Sequence, residues 1–293
     1  MKILLFGKNG QIGWELQRSL APLGDVVALG SEELDLAQAD LLREALRREQ
    51  PEIIVNAAAY TAVDRAEQEP ELATAVNSIA SRVIAEEASE LGAALIHYSS
   101  DYVFDGKKGD FYVESDLPNP LSQYGRSKLE GEKAIEQVGG NYLILRTSWV
   151  YDLRRENFVS KVLKWARSNQ NLRIATDQIG SPTWSRALAE ITALVLGKGR
   201  DDVLGWLQER KGTFHLAGKG AASRFDWAVA ILELDSGWED GAPTQVQRAK
   251  AEEFPTAARR PAYSALSCDR FEEVFGLQMP HWQAALALAM SGD

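Results

Sequence analysis

Three side chains between residues 97 and 128 have the types and spacing of a proton-transfer device: Ser100, Tyr124 and Lys128. Tyr124 and Lys128 stand four residues apart, which on a helix puts them one turn apart on the same face. An ammonium beside a phenol favours the phenolate and brings a very weak acid nearer to acid–base work at neutral pH. Ser100 follows an apolar run, residues 94–98, that reads as a buried strand. Chain leaving a strand's carboxyl end opens into the ligand crevice of an open α/β sheet. Alone the pair says little. Eight tyrosines produce a Tyr-x-x-x-Lys match by accident roughly as often as not, and most such pairs line a solvated helix face.

The elements around the pair give it weight. Lys2–Phe6 is a short apolar run leading into GKNGQIG, residues 7–13, and then a stretch with Trp14, Leu16, Leu20 and Leu23 at helical spacings. Strand, glycine turn and helix make the context of a dinucleotide-binding turn. Gly7 permits the tight turn, Gly10 lets backbone approach a pyrophosphate, and Gly13 lets the helix lie close to the strand. A plain glycine-rich turn is the alternative, since the spacing is looser than G-x-G-x-x-G. Residues 26–29 read as the next strand, followed by Gly30, Ser31 and Glu32 with no arginine nearby. That admits the 2′-phosphate of NADPH without selecting it. Asp35 precedes a helix over 41–48 and reads first as its cap, otherwise as an adenine contact.

Residues 53–56 form a third strand running into Ala57, Ala58 and Ala59, small enough for a flat cofactor to reach backbone or for close helix packing. A long helical region then extends through residue 91, with Asn77 on its sheet-facing side, where it must find a hydrogen bond. Residues 142–145 make a further strand ending in RTSWVY. Strand and helix alternate throughout residues 2–147, which predicts an α/β fold with a doubly wound parallel sheet of Rossmann type. Beyond residue 151 the pattern loosens. Helices are expected over 157–168, 186–196, 223–234 and 281–290, short runs over 172–175 and 213–216, and linkers over 197–199 and 237–243. The expected division is 1–150 for dinucleotide binding, with helix 185–197 packing back on it, and 151–293 mostly a smaller mixed α/β substrate lobe, so that ligand lies between lobes.

Bulk properties narrow the class. Hydrophobic residues at 45% and charged residues at 25% are those of an ordinary globular protein. A formal charge of −10 without a Lys/Arg stripe argues against nucleic acid as a partner. A single cysteine excludes an internal disulfide framework and fits a reducing compartment. The opening MKILLFG is too short for a signal-peptide core or a membrane span, so a cytoplasmic protein without membrane attachment is expected. The three histidines, His97, His215 and His281, lack metal spacing and read as packing or surface.

Together GKNGQIG, the Asn56 strand end, Ser100 and Tyr124-x-x-x-Lys128 resemble the extended short-chain dehydrogenase/reductase superfamily. The wording of VNAAAYTAVDRAE, HYSSDYVFDG, YGRSKLEGE, RTSWVY and DQIGSPT is similar to its dTDP-4-dehydrorhamnose reductase family. The likeness covers residues 1–190 closely and the remainder more thinly. It implies hydride transfer from NADPH, or NADH, to C4 of a dTDP-4-dehydro sugar, for dTDP-rhamnose and cell-surface polysaccharide supply. By that resemblance Tyr124 donates the proton, Lys128 holds the nicotinamide ribose, and Ser100 hydrogen-bonds the carbonyl oxygen. Gly7, Gly10, Gln11, Ile12 and Gly13 line the pyrophosphate, and Asp35, Leu36, Ala57, Ala58 and Ala59 lie near adenosine. Val63, Asp64, Ser100, Asp101, Trp149 and Arg260 fall on the substrate side. Where relatives carry Arg-Pro-x-Asn-Ser-x-Leu, residues 260–266 here have Tyr263 in place of the asparagine. Glu15 matches a glutamate associated in some members with Mg²⁺ at a homodimer contact, although a lone glutamate on an exposed helix is usually just solvated. Another nucleotide-sugar reductase or epimerase, or a non-catalytic regulatory subunit of the same fold, are the competing readings.

Overall fold

The computed structural model describes residues 1–235 and 245–291; the linker expected over 237–243 lies outside them. The first half runs β1 (Lys2–Phe6), α1 (Gln11–Leu20), β2 (Asp25–Leu29), α2 (Ala39–Glu49), β3 (Ile53–Asn56), α3 (Val63–Ala66), α4 (Pro70–Thr74), α5 (Ala80–Leu91), β4 (Ala94–Ser100), α6 (Gln123–Val138) and β5 (Asn141–Thr147). Then come β6 (Val150–Tyr151), α7 (Phe158–Ser168), β7 (Asn171–Ala175), β8 (Ile179–Gly180), β9 (Thr183–Trp184), α8 (Ser185–Lys198) and α9 (Val203–Gln208). The chain continues through β10 (Gly212–His215), β11 (Ala222–Ser223), α10 (Arg224–Glu233), β12 (Gln245–Ala249), α11 (Asp269–Phe275) and α12 (Trp282–Met290).

Six parallel strands form the main sheet in the order β10-β5-β4-β3-β1-β2. The strand order reverses between β1 and β3, and ligands of such sheets bind outside the carboxyl ends at that switch. Both faces are covered, as alternation along β1 requires. Ile3 and Leu5 face one layer with Leu16 and Leu20 of α1, Leu188 of α8 and Phe271 of α11. Leu4 and Phe6 face the other, with Leu42 of α2, Ile84 of α5 and Ile135 of α6.

Three boundaries differ from the sequence expectation, each for a local reason. Residues 213–216, expected in the smaller lobe, supply the sixth strand: β10 pairs in parallel with β5, and α11 packs behind it through Phe271 and Phe275. The linker expected at 197–199 is instead the end of α8, which runs to Lys198 and closes at Gly199. The long helical region before residue 91 is broken where Pro70 starts α4 and again by a π-helical turn at Ala75–Ile79. Helix α8 lies against α1. Away from the sheet, Tyr151, Val159, Leu172, Trp227, Ile231, Trp282 and Leu286 form a separate core. Among the described residues no helix is long and apolar enough to cross a membrane.

Candidate active site

Backbone builds one end of the site. Gly7 has φ +86°, and a Cβ there would sit 2.7 Å from the Ala58 nitrogen. A Cβ on Gly13 would stand 2.0 Å from the Gly7 oxygen. Only glycine meets either constraint. Gly10 caps α1 and donates its N–H to the Gly7 carbonyl at 2.9 Å, leaving the N-terminus of α1 as an anion-facing end. Ala57 donates to the Phe6 carbonyl and Ala58 to Asn56 Oδ1, so the exit of β3 is held against the turn after β1. The side chain of Gln11 reaches the Val150 carbonyl and Asn157, and Ile12 packs into the sheet layer. Asp35 accepts from the Ala37 N–H and from the Gln38 side chain in the turn before α2, whose N-cap is Gln38 with no side-chain cap bond, so Asp35 is not the cap expected of it, and Leu36 is buried in the core. This cradle, filled by any larger side chain, fits a dinucleotide. The acid that returns to the end of β2 is Glu33, not Glu32. It accepts from the Gly30 N–H and pairs with Lys8, and the Lys8 hydrogen bond holds its carboxyl below the ordinary range.

Side chains build the other end, on the same carboxyl edge of the sheet. Ser100 ends β4, and its Oγ accepts from the Tyr102 N–H at 3.2 Å and donates to Asp101 Oδ1 at 3.2 Å. Tyr124 enters from the first turn of α6, whose N-cap Ser122 accepts from the Gly125 N–H. Gly125 is required there, because a Cβ would meet the Tyr102 oxygen at 2.2 Å. Burial raises the Tyr124 phenol, a hydrogen bond with Ser100 lowers it, and the charges of Asp101 and Tyr102 raise it further. Tyr102 itself packs edge-on against the Tyr124 ring at 5.5 Å.

Lys128 lies fully buried one turn below, but does not hydrogen-bond to Tyr124. Its Nζ donates to the Tyr98 carbonyl at 2.7 Å and faces His97 Nε2 at 3.2 Å. Burial brings its pKa down to about 8 against the opposing charge of Glu132. The lysine-assisted lowering of the phenol expected from the spacing is therefore absent from this arrangement. The sheet backbone and His97 hold the ammonium instead. His97, read from sequence as packing or surface, is 1% exposed and lies between Lys128 and Asn56 Nδ2, 3.2 Å from its Nδ1. Burial and the Lys128 charge hold it well below its ordinary pKa, hence neutral. Asn77, in the π-helical turn, answers its burial by bridging the Tyr60 backbone and Ser127 of α6.

Asp101 is buried beside Ser100. Its carboxylate is 2% exposed and accepts from the hydroxyls of Ser100, Ser148 and Ser264, tying together the ends of β4 and β5 and the C-terminal segment. Burial raises it to about 6 despite those bonds. Asp64 and Arg260 pair with each other, with Nη2 2.7 Å from Oδ2, and Asp64 also takes the Ala258 N–H. Val63 sits beside Asp64 at the start of α3, packed with Tyr124. Trp149 leaves β5 with φ +45°, a left-handed conformation that costs a non-glycine residue of order 1 kcal/mol. Its indole fills the space a Gly180 side chain would need and stacks on Trp227. Tyr263 packs edge-on to Phe111. Glu15 remains on α1, and no group of three or more His, Cys, Asp or Glu among the described residues could hold a metal. One chain does not make a Mg²⁺ site there.

Sequence reasoning missed the places of His97, Tyr102, Ser148 and Ser264, which this geometry gathers from three separate segments. Only His97 and Tyr102 carried a signal, adjacency to Ser100.

A family model described as the RmlD substrate binding domain matches residues 1–292. The chain is 41% identical over 294 residues to the dTDP-4-dehydrorhamnose reductase of Burkholderia thailandensis, covering 99% of this chain and 98% of that one. The chain belongs to the dTDP-4-dehydrorhamnose reductase family. The Escherichia coli K12 member is 40% identical, with 98% and 96% covered. Among solved structures, the Clostridium acetobutylicum reductase superposes with TM-score 0.90 at 34% identity, covering 99% of both chains. The Bacillus anthracis reductase in complex with NADP gives 0.88 at 32%, covering 99% and 98%. A Thermus thermophilus UDP-glucose 4-epimerase, at 0.80 and 19% identity with 99% and 98% covered, shares the fold alone.

Proposed function

We propose that the chain reduces the C4 ketone of dTDP-4-dehydro-L-rhamnose to the alcohol of dTDP-L-rhamnose, with NADPH as reductant. The observation that carries this reading is the placement of Ser100, Tyr124 and Lys128 on the same carboxyl edge as the Gly7–Gly13 cradle. Bound NADPH supplies the hydride for C4. Tyr124 Oη gives its proton to the oxygen as it becomes an alkoxide, and the Ser100 hydroxyl turns its single proton from Asp101 to that oxygen. Lys128, anchored on the Tyr98 carbonyl and beside His97, would hold the nicotinamide ribose through its ammonium. Asp64 and Arg260 border the sugar side.

NADPH is the favoured cofactor and NADH a usable one, because the Glu33–Lys8 pair at the end of β2 offers a carboxylate to a 2′-hydroxyl and an ammonium to a 2′-phosphate. A cytoplasmic location belongs to the same reading. The test is loss of 340 nm absorbance when protein, NADPH and dTDP-4-dehydro-L-rhamnose are mixed, repeated with NADH. Stoichiometric oxidation with a rhamnosyl product is expected. Product formed while the cofactor is retained and not consumed would indicate epimerisation. Cofactor binding without turnover on any nucleotide sugar would indicate a regulatory subunit.

A further inference from the structure

Three arginines come close to the substrate end of the cleft, and two are already neutralised. Arg146 forks onto Glu132 with 2.7 and 3.0 Å contacts, and Arg260 onto Asp64. Arg224, the first residue of α10, is different. Its side chain makes no hydrogen bond or ion pair among the described residues, although it is more than half buried. Its guanidinium carbon lies 3.5 Å over the Trp149 ring, 4.8 Å over Phe158 and 5.5 Å over Trp227. Burial lowers its pKa to about 10, against the favourable charges of Tyr102 and Asp101, so it stays charged at neutral pH. Asp101 is not its partner, because three serine hydroxyls already occupy that carboxylate.

A guanidinium lying over rings makes no hydrogen bond to them, so its N–H donors stay free for an acceptor. A charged group more than half withdrawn from water, with none of its five donors answered by the described residues, favours a ligand that answers them. The platform beneath it is purpose-built: Trp149 accepts a left-handed backbone, and Gly180 has no side chain where the indole lies. Strand β8 fastens the platform from both sides. The carbonyl of Gln178, just before it, takes the Arg224 N–H at 3.0 Å, and Ile179 bonds the backbone of Ala262 and Ser264. Arg224 and Arg260 both act electrostatically on Tyr102, which touches Tyr124. The free cation therefore borders the reacting end of the cleft on a chain whose net charge is −10.

We infer that Arg224, held face-on by Trp149, is the residue that binds the diphosphate of the nucleotide-sugar substrate. This rests on the reading above that the substrate is a nucleoside diphosphate sugar. Arg260, neutralised by Asp64, shapes the cleft beside it, while Arg224 supplies the uncompensated positive charge.

The test compares wild type, Arg224→Gln and Arg224→Lys, each checked by thermal melting, for binding of dTDP, thymidine and NADPH, and for KM against kcat. In Arg224→Gln, dTDP affinity should fall ~10- to 100-fold and KM rise in parallel, the loss of a charged hydrogen-bonding partner. Thymidine and NADPH should bind as in wild type, and the change in KM should exceed that in kcat. Arg224→Lys, which keeps the charge and loses the fork, should recover part of the dTDP affinity. Wild-type dTDP affinity in Arg224→Gln would overturn the assignment, as would equal losses for dTDP and thymidine in either folded variant. If the wild type prefers UDP to dTDP, the thymidine nucleotide is wrong. The same UDP-against-uridine comparison then decides the role of Arg224 independently.

Discussion

The two halves of the cleft are made of different material. At the cofactor end the determining atoms are backbone: glycines at 7 and 13, whose absent side chains let β1, α1 and the exit of β3 touch. At the substrate end they are side chains from distant segments, Asp64 meeting Arg260, Asp101 meeting Ser264, Trp149 lying under Arg224. A site made of backbone tolerates no change in residue size but asks little of chemistry. A site made of side chains asks for particular donors and acceptors, each fixed by others. Lys128 belongs to both, since the β4 backbone and His97 hold it between the cradle and the phenol.

Substitutions should separate the halves. Tyr124→Phe should lower turnover by about 10²- to 10⁴-fold, the scale of a lost proton donor, while NADPH titration by fluorescence gives an unchanged affinity. Gly13→Ala should do the reverse. A Cβ 2.0 Å from the Gly7 oxygen must push α1 off β1, costing about 1–3 kcal/mol in denaturant melts. NADPH binding should be lost with it, while dTDP still binds.

The boundary between the halves is sharpened by pH. If the protonated Lys128 is the working form, kcat/KM falls as pH rises through about 8. His97→Leu removes a polar neighbour of the ammonium and favours the neutral amine further. The fall should then begin about 1 unit lower, the equivalent of one hydrogen bond. His97→Gln should keep the wild-type profile. An unmoved alkaline limb in the leucine variant would detach His97 from Lys128. The smallest effect is expected at Glu33→Ala, which removes a carboxylate from the end of β2 and should raise the NADPH-to-NADH ratio of kcat/KM a few-fold.

The same contrast explains what could be read from the chain. Gly7 and Gly13 were legible because a positive φ at the first and a close backbone approach at both leave no alternative residue type. Ser100, Tyr124 and Lys128 were legible as chemistry, but the direction of Lys128 was not, since it depends on a carbonyl in β4. Asp101 was placed on the substrate side, yet its three serine partners come from residues 100, 148 and 264, which no local pattern connects. Arg224 gave no signal at all: its meaning lies in the ring beneath it and the partner it lacks. In the fold, alternation through residue 147 was readable. Strand β10 was not, because the chain leaves the sheet at Thr147 and returns only at Gly212.

The central claim, hydride delivered from the cradle to a carbonyl protonated by Tyr124, is tested most directly by a single turnover with NADPH deuterated at C4 of the nicotinamide. Wild type should place the label on C4 of dTDP-L-rhamnose, and Tyr124→Phe, saturated with the same cofactor, should form almost none on that timescale. Product without deuterium at C4, or label transferred by Tyr124→Phe at the wild-type rate, would contradict it.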